Sequence, residues 1–334
     1  MQERATLTYG DQPGLRFACV LDGHGGCHDL RWPEIEAWTA EQGVLWVHLE
    51  RDDPTARMWL RHNAGIDRFA VEALLAEETR PRVEDYDDAL LVVLRGVNRQ
   101  HAGEALDLVP VHIWIDANRI ISLRDKDHML VALRDIRERL QEGKGPGRPG
   151  ALFARLSEKV VKNLEPVIDE LEDKIDGLDE TLLATPTAEC RQELSDLRRQ
   201  AIMLRRYLAP QREALFRLQV EDASWLSKRD KIRIRETTDK VLRHLENLDA
   251  IRDRSTILHE DLAAQIAEEH ARTSNRLTTI AALLLPPSLL AGLLGVNVEG
   301  IPLHDHPWAF AVVCLVILAL FPIQYWVMKK LKWL

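Results

Sequence analysis

LTTIAALLLPPSLLAGLLGV, residues Leu277 to Val296, carries no charged side chain over a length that crosses a bilayer as a helix. WAFAVVCLVILALFPIQYWVM, Trp308 to Met328, is a second stretch of the same kind. Only NVEGIPLHDHP, Asn297 to Pro307, separates the two, enough for a tight outer loop. The flanks set a direction. Arg272 and Arg276 precede the first span, Lys329, Lys330 and Lys332 follow the second, and the loop has neither Lys nor Arg. The positive-inside rule therefore predicts both termini in the cytoplasm. Trp308, Trp326 and Trp333 fall near the interfaces, where aromatic belts sit.

Two helices cannot enclose a water-filled path, so conduction would need several copies around it, each lending a polar face. Alternate steps of four and three from Ser274 reach Thr278, Ala281, Leu285, Ser288 and Gly292, a coiled-coil spacing. The adjoining track through Leu277, Ile280, Leu284 and Pro287 is apolar. The seam of small and hydroxyl residues reads either as a pore lining or as a close-packing face between helices in lipid.

At the outer end of the seam stand Gly295, Val296 and Asn297, followed by Glu299, Gly300, Ile301 and Pro302. A Gly-x-Asn closing the first of two C-terminal spans, behind a long acidic N-terminal part, resembles the CorA superfamily of divalent-cation transporters. Gly-Val-Asn with the following Ile-Pro is similar to its zinc-transporting ZntB branch; the magnesium branch carries Gly-Met-Asn. Trp46-Val47-His48-Leu49 and Arg80 to Asp88 (RPRVEDYDD) also resemble stretches of the superfamily's N-terminal domain. The likeness implies a funnel-shaped homopentamer in a bacterial inner membrane, with an α+β (αβα) cytoplasmic domain, a long helical stalk and two membrane helices. It further implies Gly295, Val296 and Asn297 as a selectivity filter, and divalent cations, Zn2+ foremost, as cargo with no bound cofactor.

The rest of the chain fits that outline. At 334 residues, net charge −9 and pI about 5.8, a nucleic-acid partner is not expected. A mean hydropathy of −0.21 reflects a mostly water-soluble chain. Met1 to Asp11 is polar, so no signal peptide is expected, and Cys19, Cys27, Cys190 and Cys314 are scattered as in a reducing compartment. Residues 1–141 read as mixed α/β. Strands are predicted at Leu15–Leu21, Val44–Leu49, Leu90–Val97, Leu108–Ile115 and Arg119–Leu123, the last two joined by an Asp116-Ala117-Asn118 turn. Helices are predicted at Glu34–Gln42, Pro54–Asn63, Asp67–Glu77 and Lys126–Gln141. QEGKGPGRPG, Gln141 to Gly150, is the clearest linker.

Residues 142–227 read as helical: Ala151–Leu183, then a helix opened by Thr185-Pro186, bent at Pro210 and ending near Gln219. From Gln211 to Leu285 there is neither glycine nor proline. Ser227-Lys228-Arg229-Asp230 fits a capping box, which starts a stalk at 228–276 that continues into the first span, 277–296. The outer loop is then 297–307, the second span 308–328 and a basic tail 329–334. Pro286-Pro287 is expected to kink this helix rather than end it.

Several residues have two readings. Asn297 reads as a cation or hydration-shell contact, or as a residue ending the helix after Gly295. Glu299, His304, Asp305 and His306 read as an outer zinc-favouring cluster, or as a solvated loop. His24-Gly25-Gly26-Cys27-His28 reads as a zinc site or an ordinary turn. Carboxylates such as Asp85, Asp87, Asp88, Glu221, Asp222, Asp253 and Asp261 read as regulatory metal ligands or as solvated faces. Neither span contains an ionisable residue, so no proton relay is written into them. No catalytic constellation points to an enzyme. The rivals to zinc transport are a magnesium or cobalt channel of the same fold and a membrane-tethered coiled-coil sensor or scaffold.

Overall fold

VLWVHLE shows why a sheet forms near the head of the chain. Every residue from Leu45 to Leu49 is buried, and successive side chains point to opposite faces, so both faces of this strand need cover. The computed structural model, which describes residues 12–77, 80–98, 108–126, 130–184, 188–295 and 307–330, supplies it. In chain order the strands are β1 (Leu15–Leu21), β2 (Cys27–Asp29), β3 (Val44–Glu50), β4 (Arg82–Tyr86), β5 (Ala89–Val97), β6 (Leu108–Ile115) and β7 (Arg119–Arg124). They form one sheet of order β2-β1-β3-β7-β6-β5-β4 among the described residues. Neighbours are antiparallel except β3 and β7, which run parallel.

The parallel pair requires a crossover, and α2 (Pro54–His62) and α3 (Arg68–Leu75) begin it. Asp53 and Asp67 cap them by accepting backbone N–H groups two and three residues on. Ala56, Trp59 and Leu60 of α2 and Ala70, Val71 and Leu74 of α3 share a core with Val47, Leu49, Leu91, Val93 and Leu123. On the other face lie α4 (Val131–Gln141), α5 (Pro149–Lys162) and α7 (Ala188–Val220), of which α5 and α7 lie against β5 and α4 packs on α5. The layering is α/β/α, as expected.

All five expected strands form. The two unexpected ones, β2 and β4, are the sheet edges. Edge strands favour charge because it discourages pairing with another chain, and charge hides a strand from a hydrophobicity pattern; RVEDY is such a strand. Three helix expectations need correction. Lys126–Gln141 begins only at Val131, because Leu130 is the extended N-cap of α4 and bridges to Asn98. Glu34–Gln42 is instead α1 (Trp32–Glu36) followed by a separate 3-10 turn at Ala40–Gln42, because Pro33 sets the start earlier. Ala151–Leu183 is two helices, α5 and α6 (Glu165–Ala184). Pro166 has no N–H to continue α5 and fits the first turn of α6. Pro210 lies inside α7, and Thr185-Pro186 falls outside the described residues.

The chain divides into two compact units, Met1–His259 and Glu260–Leu334. One helix, α8 (Lys228–Leu294), contributes to both; the second unit also holds α9 (Ala309–Lys330). The expected cap is present: Ser227 N donates to Asp230 Oδ2 at 3.1 Å, and Asp230 N donates to Ser227 Oγ at 3.3 Å. Pro286 and Pro287 lie within α8, which does not end there. The helical stretch ending at Leu294 and α9 are both long and apolar enough to cross a membrane.

Two histidines sit inside the first unit. Burial, with Arg124, Arg16 and Arg137 nearby, pushes His48 down to about 3. Burial, with Arg51 and Arg82, pushes His112 down to about 4. The unfolded chain therefore takes up these protons first, near pH 6.5. Their contribution is complete above that pH and is lost as pH falls toward 4 and then 3, at up to about 1.4 kcal/mol per pH unit for each. The melting temperature of the detergent-solubilised chain, followed by Trp fluorescence, is expected to drop between pH 7 and 5, and less so in His112→Leu. An identical acid drop in that variant would contradict the assignment.

Candidate ion-conduction site

A helix entering lipid presents every face to something, and the burial of α8 separates its faces. Ser274, Thr278, Ala281, Leu285, Ser288 and Gly292 are all exposed in the single chain. Thr279, Leu283 and Leu290 are half-buried and Pro287 is buried. At 3.6 residues per turn this shielded stripe lies roughly opposite the seam. The seam is thus the face turned away from the chain's own cover. The apolar track is not distinguished in the same way, since Leu277, Ile280 and Leu284 are as open as the seam and only Pro287 is enclosed. Leu285, the one bulky apolar member of the seam, is 66% exposed.

α8 ends at Leu294, and Gly295 N donates to Ala291 O at 3.0 Å. Val296, Asn297, Glu299, His304, Asp305 and His306 lie outside the described residues. On α9, Lys330 Nζ lies 5.1 Å from the Trp326 ring centroid, an aromatic and a cation together at one end of the span. One residue that sequence reasoning passed over is Gln324, the sole amide in the second span. Its Oε1 is enclosed without a hydrogen-bond partner among the described residues. An amide amid apolar residues was the available signal.

His24–His28 and two of the candidate carboxylates, Asp88 and Asp253, have the contacts of their plainer readings. At His24–His28 the Asp22 carboxylate accepts His24 N at 2.7 Å and Gly26 N at 2.8 Å, which closes a turn. Those two bonds also hold the Asp22 carboxyl below its usual value. Gly25 has φ +109°, and a Cβ there would meet Gly143 O at 2.7 Å, so the glycine serves the close approach of the 141–150 linker. Among the described residues no three His, Cys, Asp or Glu side chains gather as a metal cluster. Asp88 is engaged by Ser224 through both N and Oγ, which keeps its carboxyl below the usual value. Asp253 pairs with Arg252, and Arg254 reaches from α8 to Asp176 and Asp179 of α6.

Residues 41–330 match the family described as CorA-like Mg2+ transporter protein. The divalent cation transporter CmaX of Pseudomonas aeruginosa is 38% identical over 328 residues, 97% of this chain and 98% of the relative. The zinc transport protein ZntB of Pectobacterium carotovorum subsp. carotovorum is 33% identical over 321 residues, 96% of each. The solved full-length CmaX structure superposes with a TM-score of 0.84 at 37% identity, covering 97% of this chain and 99% of that one.

The stripe geometry gives a direct test in proteoliposomes. In a Cys-free background, single cysteines at Thr278, Ala281 and Ser288 are expected to react with a membrane-impermeant thiol reagent much faster than cysteines at Thr279, Leu283 and Leu290. Equal rates on the two faces would contradict the seam as a water-facing surface.

Proposed function

Since this chain belongs to the CorA family of divalent-cation transporters, which are not enzymes, we propose that it carries zinc across a bacterial inner membrane through a homo-oligomeric pore lined by α8. The observation that carries the reading is the exposed seam opposite the shielded stripe, leading to Gly295 at the helix end. Copies arranged with their seams inward enclose a path; five is the number the family likeness implies. Both termini lie in the cytoplasm, as the basic flanks require. The path is lined by Ser274, Thr278, Ala281, Leu285, Ser288 and Gly292. Leu285 forms its hydrophobic constriction, which gates by dewetting.

Gly295, Val296 and Asn297 form the filter. An Asn carbonyl accepts from a cation's bound water or coordinates the ion, and a ring of copies multiplies a weak contact. The seam has no soft ligand and no charge, so the ion passes with much of its water shell. Selection for zinc falls to the outer loop. His304 and His306 offer imidazole, with Asp305 and Glu299 beside them, a donor set that suits zinc over magnesium. The ZntB relative's name agrees with this cargo. Magnesium or cobalt is the second reading because the family model is described for Mg2+; Val296, where that branch carries Met, tilts the reading toward zinc.

Asn297→Ala is expected to abolish flux of every metal while leaving the oligomer's size in detergent unchanged. His304→Ala combined with His306→Ala is expected to weaken zinc uptake at low concentration and spare magnesium and cobalt. Mild acid should mimic that double change in the unmodified protein and add little to it, because protonated imidazole does not bind metal. Equal loss of all metals in the double variant, or loss of none, would assign the loop a structural role only.

A further inference from the structure

Between the sheet and α4 lies a cavity of about 300 Å3 that the ion path does not use. Its wall brings together Arg16 of β1, Arg124 at the end of β7, and Arg134 and Arg137 of α4. The remaining lining is apolar or neutral: Phe17, Leu130, Leu133 and His48, with no carboxylate among the described residues. His48 adds no charge, because burial holds its pKa near 3 and its Nδ1 faces Ser122 Oγ at 2.9 Å. The acids that pair with these arginines stand outside the wall. Glu50 takes Arg16, Asp29 takes Arg137 Nη2 at 2.9 Å, and Glu138 lies 3.7 Å from Arg134.

Those pairs leave donors over. The Arg137 side chain is 7% exposed, and its guanidinium lies 4.4 Å from the Phe17 ring centroid. Its Nε and Nη1 are buried and hydrogen bond to nothing among the described residues; the same holds for Arg16 Nε. A buried charged donor without an acceptor is strongly unfavourable, and native proteins rarely keep one without a reason. Nη2 is engaged by Asp29, so Nε and Nη1, which diverge, are each left to donate singly, and a carboxylate or phosphate oxygen is the acceptor that a charged N–H favours. A metal cation is repelled by the same wall, so the transported ion has no place here.

We propose that this cavity is a binding site for a small organic oxyanion, a carboxylate or phosphate monoester carrying an apolar body. The oxyanion lies against Arg137 and Arg16, with Arg134 at the rim, and the body lies against Leu130 and Leu133. The site stands whatever metal the protein carries, and its test uses no transport.

The measurement is calorimetric titration of the detergent-solubilised full chain with phenyl phosphate, benzoate, inorganic phosphate and the neutral isostere benzamide. Phenyl phosphate and benzoate are expected to bind saturably, inorganic phosphate more weakly, and benzamide not at all. Arg137→Gln is expected to remove binding. Arg134→Ala, a half-exposed position safe for folding, is expected to weaken it about tenfold, the effect of losing one charge-assisted hydrogen bond. Leu133→Trp, which fills the cavity, is expected to remove the aryl probes' binding. Failure of the anionic aryl probes to bind the unmodified chain, benzamide binding as well as benzoate, or unchanged affinity in Arg134→Ala would overturn the proposal. Inorganic phosphate binding as tightly as phenyl phosphate would overturn its apolar part.

Discussion

A backbone that enters hydrocarbon must bring its hydrogen bonds with it, because nothing in the lipid replaces water for an exposed N–H or C=O. The C-terminal quarter of this chain follows from that constraint. α8 enters its apolar stretch already helical, with no glycine or proline from Gln211 to Leu285 to interrupt the ladder. A helix of 67 residues is not held by propensity alone, which is marginal for isolated helices. Its buried side chains do that work: Ile234, Val241, Leu248, Ile251 and Leu262 are each nearly free of solvent. The same stretch carries Thr237, Thr238 and Ser255, whose hydroxyls donate back to the carbonyls of Arg233, Ile234 and Ile251 one turn earlier. These polar groups are therefore satisfied within the helix.

The constraint also explains where the ladder is allowed to fail. Pro286 and Pro287 remove the donors that the carbonyls of Ala282 and Leu283 take in a regular helix. Proline pairs persist in spans where neighbouring helices or ordered water accept the cost, and Pro287 and Leu283 lie on the shielded side of α8. The opposite side keeps its small and hydroxyl residues free. A polar, neutral face suits an ion that keeps its water, whereas ionisable groups, the usual relays for protons, are absent from both spans.

How much of this was legible depended on how local each signal is. The two apolar helical stretches, the Ser227 cap and the five interior strands are written in runs of neighbouring residues, and helix, cap and strand form there. β4 was hidden because Arg82, Glu84 and Asp85 suit an edge and mask the alternation. The break between α5 and α6 was written at Pro166 and outweighed by apolar periodicity on either side. The seam was legible as spacing, yet its separation from the shielded stripe needed coordinates, since one-sided burial is a tertiary property. The arginine cavity was not legible at all. Arg16 and Arg137 meet only because β1 lies beside β3 and α4 folds back over that face, and neither residue is unusual within its own stretch. Conversely, His24–His28 carried a metal reading beside a turn reading, and it forms a turn held by Asp22, as its glycines suggest.

The central claim is that this chain moves divalent cations, zinc first, through a path that the spans themselves leave uncharged. The most direct test is time-resolved uptake of zinc, cobalt and magnesium by proteoliposomes of the unmodified chain, with matched protein-free vesicles and with or without an imposed pH gradient. The account predicts saturable metal entry above the protein-free control, with zinc entering at the lowest external concentration. Metal entry no faster than in protein-free vesicles under every condition, or magnesium entry at concentrations where zinc does not enter, would contradict it.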